Sequence, residues 1–576
     1  GLPAEARGWL DSVPGGGMRD GLGEARLAYL RGDRSREAGK GGGRSSGAGG
    51  GSGIFRRRTG ILGDSMTSTP LLVGAPSASV QGPGYARFYE RNKARANAVY
   101  VGANDGMLHA FDTETGAELF AYVPQALLPV IGELSSPTYR HRPYVDASAG
   151  YGEASLGGHW SSVLVSGMGM GARGVFALDV TNPAAFASGK GALWEFTERD
   201  DSAMGHVRSP PLIAKIKVGT KDKVPVYRHF AVVASGINNY GEDDAHADPA
   251  GALFLLALDK PPRERWKLGV NYYRLAAPAA EPGLSNALGP PALAVAADGS
   301  ARFAYSGDLQ GRLWRFDLDA ARTSSGAVLF EARDSAALRQ PITHAPKVVF
   351  APGGGYLVLF ATGKLIESAD LQASSFAPQS MYAIHDSGAT PIAPVRSRSQ
   401  LAARTASAGA SATITGAEFD YGGAVKGWYV DFPNARGDGE RAAGSPALAA
   451  GTLFVNTVIP GADPCAGPAS RTYVLDSLSG FSFTPDGYAI SGRRTGDIVR
   501  GRTDPVPLIF DLFASVGQAD PTGGARAVRT IGLLRWRADG APPLLTQVKV
   551  GLPAKRISWR EVANWRDLHA AARKTR

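Results

Sequence analysis

From Ile61 onward the chain consists of short apolar runs separated by clusters of Gly, Pro, Asn and Asp, the pattern of strands punctuated by tight turns. The runs recur as a unit: a strand, a Gly-containing connection, a second strand rich in aromatic or aliphatic residues, and a closing Asp. The clearest copy runs from Val99 to Asp112, VYVGANDGMLHAFD. Asn104-Asp105-Gly106 reads there as a hairpin turn, because Asn and Gly tolerate the positive φ such turns demand. A second copy is Phe303 to Asp317, FAYSGDLQGRLWRFD, with Gly307 and Gly311 around the turn. Looser copies span Val163 to Asp179, Phe230 to Asp259 and Tyr356 to Asp386, and the last clear one Leu453 to Asp476.

Most copies are preceded by a Pro that opens an apolar strand, at Pro70, Pro211, Pro291, Pro346 and Pro446. A Pro at the first residue of a strand forfeits no ladder hydrogen bond, so the position is physically reasonable. Six clear units, with a seventh built from Val506 to Phe513 and Ala527 to Trp536, predict an all-β fold. The architecture expected is a β-propeller of about seven blades with long inter-strand insertions, which leaves only short, protected sheet edges.

The flanks read differently. Residues 1–60 are expected to be a peripheral segment: a mildly helical pattern over residues 2–31, then a Gly-rich linker from Gly39 to Gly53. The propeller is assigned to residues 61–557. Residues 558–576 are expected to be a short C-terminal helix, because Ser558 and Glu561 form a capping box and Trp559, Val562, Trp565 and Leu568 fall near one face.

Composition narrows the function. Gly (75) and Pro (38) together make up about a fifth of the 576 residues, which is turn-rich but short of disorder throughout. The net charge of +10 is scattered, with Arg56-Arg57-Arg58 the clearest run, so no nucleic-acid partner is expected. The single Cys465 excludes an intrachain disulfide and a Cys-based metal or haem site. No apolar run is long enough to span a bilayer, so no transmembrane segment is expected. The chain starts at Gly1 without a charged-then-apolar leader, as expected of a processed exported protein or a fragment.

Leu62-Gly63-Asp64 with Ser68 and Pro70, the VYVGANDGMLHAFD stretch and the GDLQGRLWRFDL segment together resemble the C-terminal domain of PilY/PilC-type pilus-tip proteins. Tyr29 to Asp33 and the closing Arg556 to Glu561 are similar to that family's borders, so the resemblance covers roughly residues 29 to 561. It implies a non-catalytic, exported protein at the tip of a type IV pilus. Such a protein works with minor pilins to prime assembly, opposes retraction and contributes to adhesion to a host-cell or abiotic surface. Longer members carry a further N-terminal domain.

The resemblance also implies a calcium loop, D-x-[DN]-x-D-G-x-x-D, just before the GDL segment. Here the aligned stretch runs from Ala294 to Arg302 and keeps only Asp298 and Gly299. Calcium takes six to eight oxygens, and alanines at two acidic positions with an arginine at the last oppose that. Asp298-Gly299 is therefore read as a hairpin turn, and no cofactor is expected. A second acidic stretch, Glu242 to Asp248, offers Asp243, Asp244, His246 and Asp248 as an alternative metal set, with His246 favouring a transition metal. The plainer reading is a solvated loop.

Two RGD tripeptides, Arg31-Gly32-Asp33 and the more loop-like Arg436-Gly437-Asp438, are read as chance occurrences. The hairpin signature also resembles quinoprotein dehydrogenase repeats, which makes a quinone-dependent propeller enzyme one alternative and a generic envelope scaffold another. Against an enzyme, the nine histidines are scattered and no Gly-x-Ser-x-Gly elbow is present. Cys465 is read as an incidental thiol in a turn-rich insertion.

Overall fold

The computed structural model describes residues 2, 4–38, 53–189, 191–237, 250–279, 281, 284–319, 325–407, 414–421, 423–433, 435–442, 444–449, 451–461 and 469–482, together with strands 508–516, 527–535 and 544–552. Among these, the strands form seven sheets, most of them four-stranded and antiparallel, the kind of sheet from which propeller blades are built. The chain divides into two compact units.

The first unit comprises Gly1–Phe350, Gly354–Val358 and Asp386–Ser397. Its first sheet is the meander Leu71–Val73, Ala98–Gly102, Leu108–Asp112 and Glu118–Tyr122, and its second Ala149–Leu156, His159–Gly167, Gly174–Asp179 and Ala192–Thr197. The third is Leu212–Lys221, Val224–Ala234, Gly251–Ala257 and Tyr272–Ala277; the fourth is Ala292–Val295, Ala301–Gly307, Arg312–Asp317 and Ala327–Glu331.

Period-2 alternation explains how these sheets stack. All seven residues of Gly251–Ala257 are buried. Ala252, Phe254 and Leu256 join Val163, Val165, Ala177 and Phe196 of the second sheet in one core, while Leu253, Leu255 and Ala257 join Ala304, Trp314 and Phe316 of the fourth in another. A strand buried on both faces reads as a continuous apolar run, because neither face is left for polar residues. Burial of aromatic and aliphatic side chains on both faces is the main force holding the sheets together, at about 25 cal/mol per Å² of apolar surface removed from water.

Each Pro singled out in the sequence stands immediately before a strand: Pro70 before Leu71, Pro211 before Leu212, Pro291 before Ala292 and Pro346 before Lys347, each the first described strand of its sheet, and Pro446 before Ala447, in a sheet whose first described strand is Arg441–Ala442. The repeat is also repeated geometry. In the first sheet Ala103 N–H donates to Met107 O and Gly106 N–H to Ala103 O; in the fourth, Asp308 N–H donates to Arg312 O and Gly311 N–H to Asp308 O. Gly106 and Gly311 have φ of 91° and 74°, a conformation that favours glycine.

The N-terminal segment is less peripheral than its composition implies. Helices Ala4–Leu10 and Gly23–Leu30 bury Leu10 and Tyr29, and the Tyr29 hydroxyl donates to Leu134 O at 3.2 Å. Arg58 and Glu37 form a buried ion pair of 2.8 Å beside them. Residues 39–52 and the expected helix from Ser558 lie outside the described residues.

The second unit comprises Ala351–Gly353, Leu359–His385 and Arg398–Arg576. In it Ser380–Asp386 pairs with Gly427–Asp431, which pairs in parallel with Ala402–Ala406. Thr452–Ile459 is flanked by Ala447–Ala449 and Ala469–Asp476. Leu508–Val516, Ala527–Arg535 and Leu544–Leu552 form an antiparallel sheet, the third strand of which the sequence reading did not include. No helix among the described residues is long and apolar enough to cross a membrane.

Candidate functional site

The polar residues that the sequence concentrates at its turns are engaged in bracing them. Asp105 accepts from Gly63 N–H at 2.7 Å and Met107 N–H at 3.2 Å, and His109 Nε2 lies 3.1 Å from both of its oxygens. His109 Nδ1 is 2.6 Å from Glu118. Burial opposes charge on this imidazole, but the two carboxylates outweigh it and hold the pKa above the usual value. Asn104 donates to Asp64 at 2.8 Å, and Asp64 is in turn 2.9 Å from His141. The segment Leu62-Gly63-Asp64 is thus pinned onto the first hairpin turn.

Asp308 does the same in the fourth sheet. Its carboxylate accepts from Gln310 and Arg312 N–H, both at 2.9 Å, and from Trp314 Nε1 at 2.8 Å. Burial pushes its pKa up to about 6 despite these donors. A carboxylate enclosed by three donors of its own turn is a structural group with little capacity left for a substrate.

Asp298 sits in the turn read from the sequence: Ala296 N–H donates to Ser300 O, Gly299 N–H donates to Ala296 O, and Gly299 has a φ of 76°. Its carboxylate accepts from Ser300 N–H at 2.9 Å, from the Ser300 hydroxyl at 2.6 Å and from the Tyr227 hydroxyl. The Lys215 ammonium donates to the Asp298 carbonyl at 2.9 Å. Burial raises the Asp298 pKa, but the hydrogen bonds and the lysine charge prevail and leave it at about 2. Both carboxylate oxygens and the carbonyl that a cation would need are engaged by donors, one of them positively charged.

Asp243, Asp244, His246 and Asp248 lie outside the described residues, as does Cys465. Among the described residues no group of three or more His, Cys, Asp and Glu side chains is placed to hold a metal. Arg31-Gly32-Asp33 ends the helix Gly23–Leu30: Asp33 N–H donates to Ala28 O, and the Asp33 side chain accepts from Ser35 N–H at 2.8 Å. Arg436-Gly437-Asp438, expected in a loop, instead forms most of the short helix Ala435–Asp438, and Asp438 accepts from Glu440 N–H at 3.2 Å.

The sequence reading missed a cleft of about 840 Å³ in the first unit, lined by residues including Tyr122, Glu195, His206, Lys260 and Trp266. Burial lifts the Glu195 pKa and lowers that of Lys260. Glu195 accepts from the Tyr122 hydroxyl and Gln125 N–H, both at 2.7 Å, so it ties one sheet to the next. These residues lie far apart in sequence and carry no shared motif.

Comparison with known proteins places this architecture. Residues 62–405 match the family described as the PilY1 beta-propeller domain. The chain is 34% identical over 518 residues to the type IV pilus biogenesis factor PilY1 of Pseudomonas aeruginosa strain PAK, covering 80% of this chain and 41% of that protein. It is 33% identical over 500 residues to a PilY1 homolog of Xylella fastidiosa, covering 78% and 31% respectively. The chain thus spans about two fifths or less of these relatives' length. The crystal structure of the P. aeruginosa PilY1 C-terminal domain superposes with a TM-score of 0.59 at 26% identity, covering 82% of this chain and 99% of that one. With the family match extending over more than half of its length, this chain belongs to the PilY1 β-propeller family.

Proposed function

We propose that this chain is the propeller portion of a non-catalytic, exported type IV pilus tip and assembly protein. It supports pilus biogenesis together with minor pilins, opposes retraction and contributes to adhesion. The observation that carries this reading is the 34% identity, over 80% of the chain, to a protein named as a type IV pilus biogenesis factor.

The side-chain chemistry supports a binding role. Asp105 and Asp308 sit at hairpin turns with their carboxylates already engaged, Asp105 by Gly63 and Met107 N–H and the His109 ring, Asp308 by Gln310 and Arg312 N–H and Trp314 Nε1. A scaffold of this kind carries specificity in its loops, since the strands are occupied with packing. The test is retention of minor pilins from an envelope extract on the immobilised, folded chain. Retention supports the assembly role, and failure to retain any minor pilin contradicts it.

A further inference from the structure

The third sheet carries a hairpin longer than its sheet requires. Leu212–Lys221 and Val224–Ala234 are 10 and 11 residues long, paired from Val224↔Lys221 to Val232↔Leu212. Only Phe230 to Ala234 pair with the next strand. The outer part is therefore a two-stranded arm, and residues 219–226 are all exposed. Asp222 and Lys223, with φ of 48° and 65°, make the primed type of turn that matches strand twist.

The root is fixed. Lys215 lies over the Tyr227 ring at 4.2 Å, both residues bond Asp298, and Arg228 bonds Asp259 at 2.7 Å and Val270 O at 2.8 Å. The tip combines cations with aliphatic groups. Lys221 faces Val224 and Gly219 faces Val226, which puts both valines and Lys221 on one side of the ribbon. Val224 is 64% exposed and Val226 41%. Beside the root, in the segment that Arg228 holds, Leu268 and Val270 are each 55% exposed, next to the exposed Lys267. Among the described residues none of Lys217, Lys221, Lys223 and Lys267 has a carboxylate within ion-pair distance, and Asp222 is the one acid at the tip.

We propose that this arm docks on an anionic phospholipid surface, the aliphatic side chains entering the headgroup region and the lysines meeting lipid phosphates. Exposed aliphatics flanked by unpaired lysines match a charged lipid interface. A single-stranded nucleic acid would call for aromatic stacking platforms, which the exposed tip lacks. The inference goes beyond the pilus reading and does not rest on it, since purified chain and vesicles suffice to test it.

The experiment is co-sedimentation of the chain with vesicles of phosphatidylcholine alone or mixed with phosphatidylglycerol, at low and high salt. Binding is expected only with phosphatidylglycerol and is expected to weaken as salt rises. Lys221→Glu with Lys223→Glu should cut it by at least about tenfold, since each lysine near an anionic leaflet contributes roughly a factor of five. Val224→Ser with Val226→Ser should also reduce it, with the melting temperature of both variants unchanged. Equal binding to both vesicle types, indifference to either pair of substitutions, or loss of binding only through the lysines with equal affinity for DNA would overturn the proposal.

Discussion

The Arg315 guanidinium lies 2.9 Å from the Asp386 carboxylate, and both side chains are almost completely buried, at 4% and 1% exposure. Asp386 also accepts from the Tyr305 hydroxyl at 2.7 Å and from Gly388 N–H at 2.9 Å, while Arg315 donates to Ala389 O at 2.7 Å. The pair joins strands Ala301–Gly307 and Arg312–Asp317 to the segment from Asp386, about seventy residues on along the chain. It is a polar tie through an otherwise apolar layer.

Breaking that tie from one side should be costly. Asp386→Leu leaves a buried, unpaired guanidinium and should destabilise the first unit by about 3–5 kcal/mol in urea denaturation. The double variant Arg315→Met, Asp386→Leu should recover much of that loss, because replacing both charges removes the desolvation penalty as well as the attraction. A single variant as stable as the parent would show that the pair contributes nothing.

Asp298 should not act as a calcium ligand. Millimolar calcium should give no heat in a calorimetric titration of the chain; a stoichiometric signal abolished by Asp298→Ala would refute this. The carboxyl's folded pKa, about 2, lies below its ordinary 3.8. The stabilisation from its hydrogen bonds is thus present above pH 3.8 and lost as pH falls towards 2. Because Asp298 is exposed, the effect on a melting curve should be small.

His109 gives the opposite pH signature. Its folded pKa is raised above 6.5 by Asp105 and Glu118, so the stabilisation is complete below 6.5 and declines as pH rises through the folded value. His109→Gln should flatten the dependence of melting temperature on pH between about 6 and 9 and lower stability most at the acidic end. An unchanged slope would mean that the imidazole is not charged between those carboxylates.

Much of the fold could be read from the sequence because its signals are local. A Pro can open a strand without losing a ladder bond, and so Pro70, Pro211, Pro291 and Pro346 mark where sheets begin, while Pro446 opens a strand inside its sheet. The closing Asp of the repeat has a local role too: Asp112, Asp179, Asp386 and Asp476 each accept from an N–H two residues further on and shape the turn out of the repeat's second strand.

What escaped is non-local or depends on packing. The partners that occupy Asp298, Tyr227 and Lys215, come from the neighbouring sheet, 71 and 83 residues away, and nothing in the loop announces them. The degenerate loop showed which ligands were missing but not that donors had taken their place. The N-terminal segment looked peripheral because its Gly-rich stretch dominates its composition. Tyr29, its ring tilted against that of Phe55 with centroids 5.3 Å apart and its hydroxyl bonded to Leu134 O, is buried by contacts invisible along the chain. Arg436-Gly437-Asp438 looked like a loop on glycine content, yet Phe376 packs against Gly439 at the end of the short helix.

The proposed pilus role can be tested by the ratio of surface-exposed to total pilin in a strain lacking this protein. A sharp fall in surface pilin is expected, with total pilin maintained and the loss reversed when retraction is blocked. Surface pilin unchanged by the deletion would contradict it.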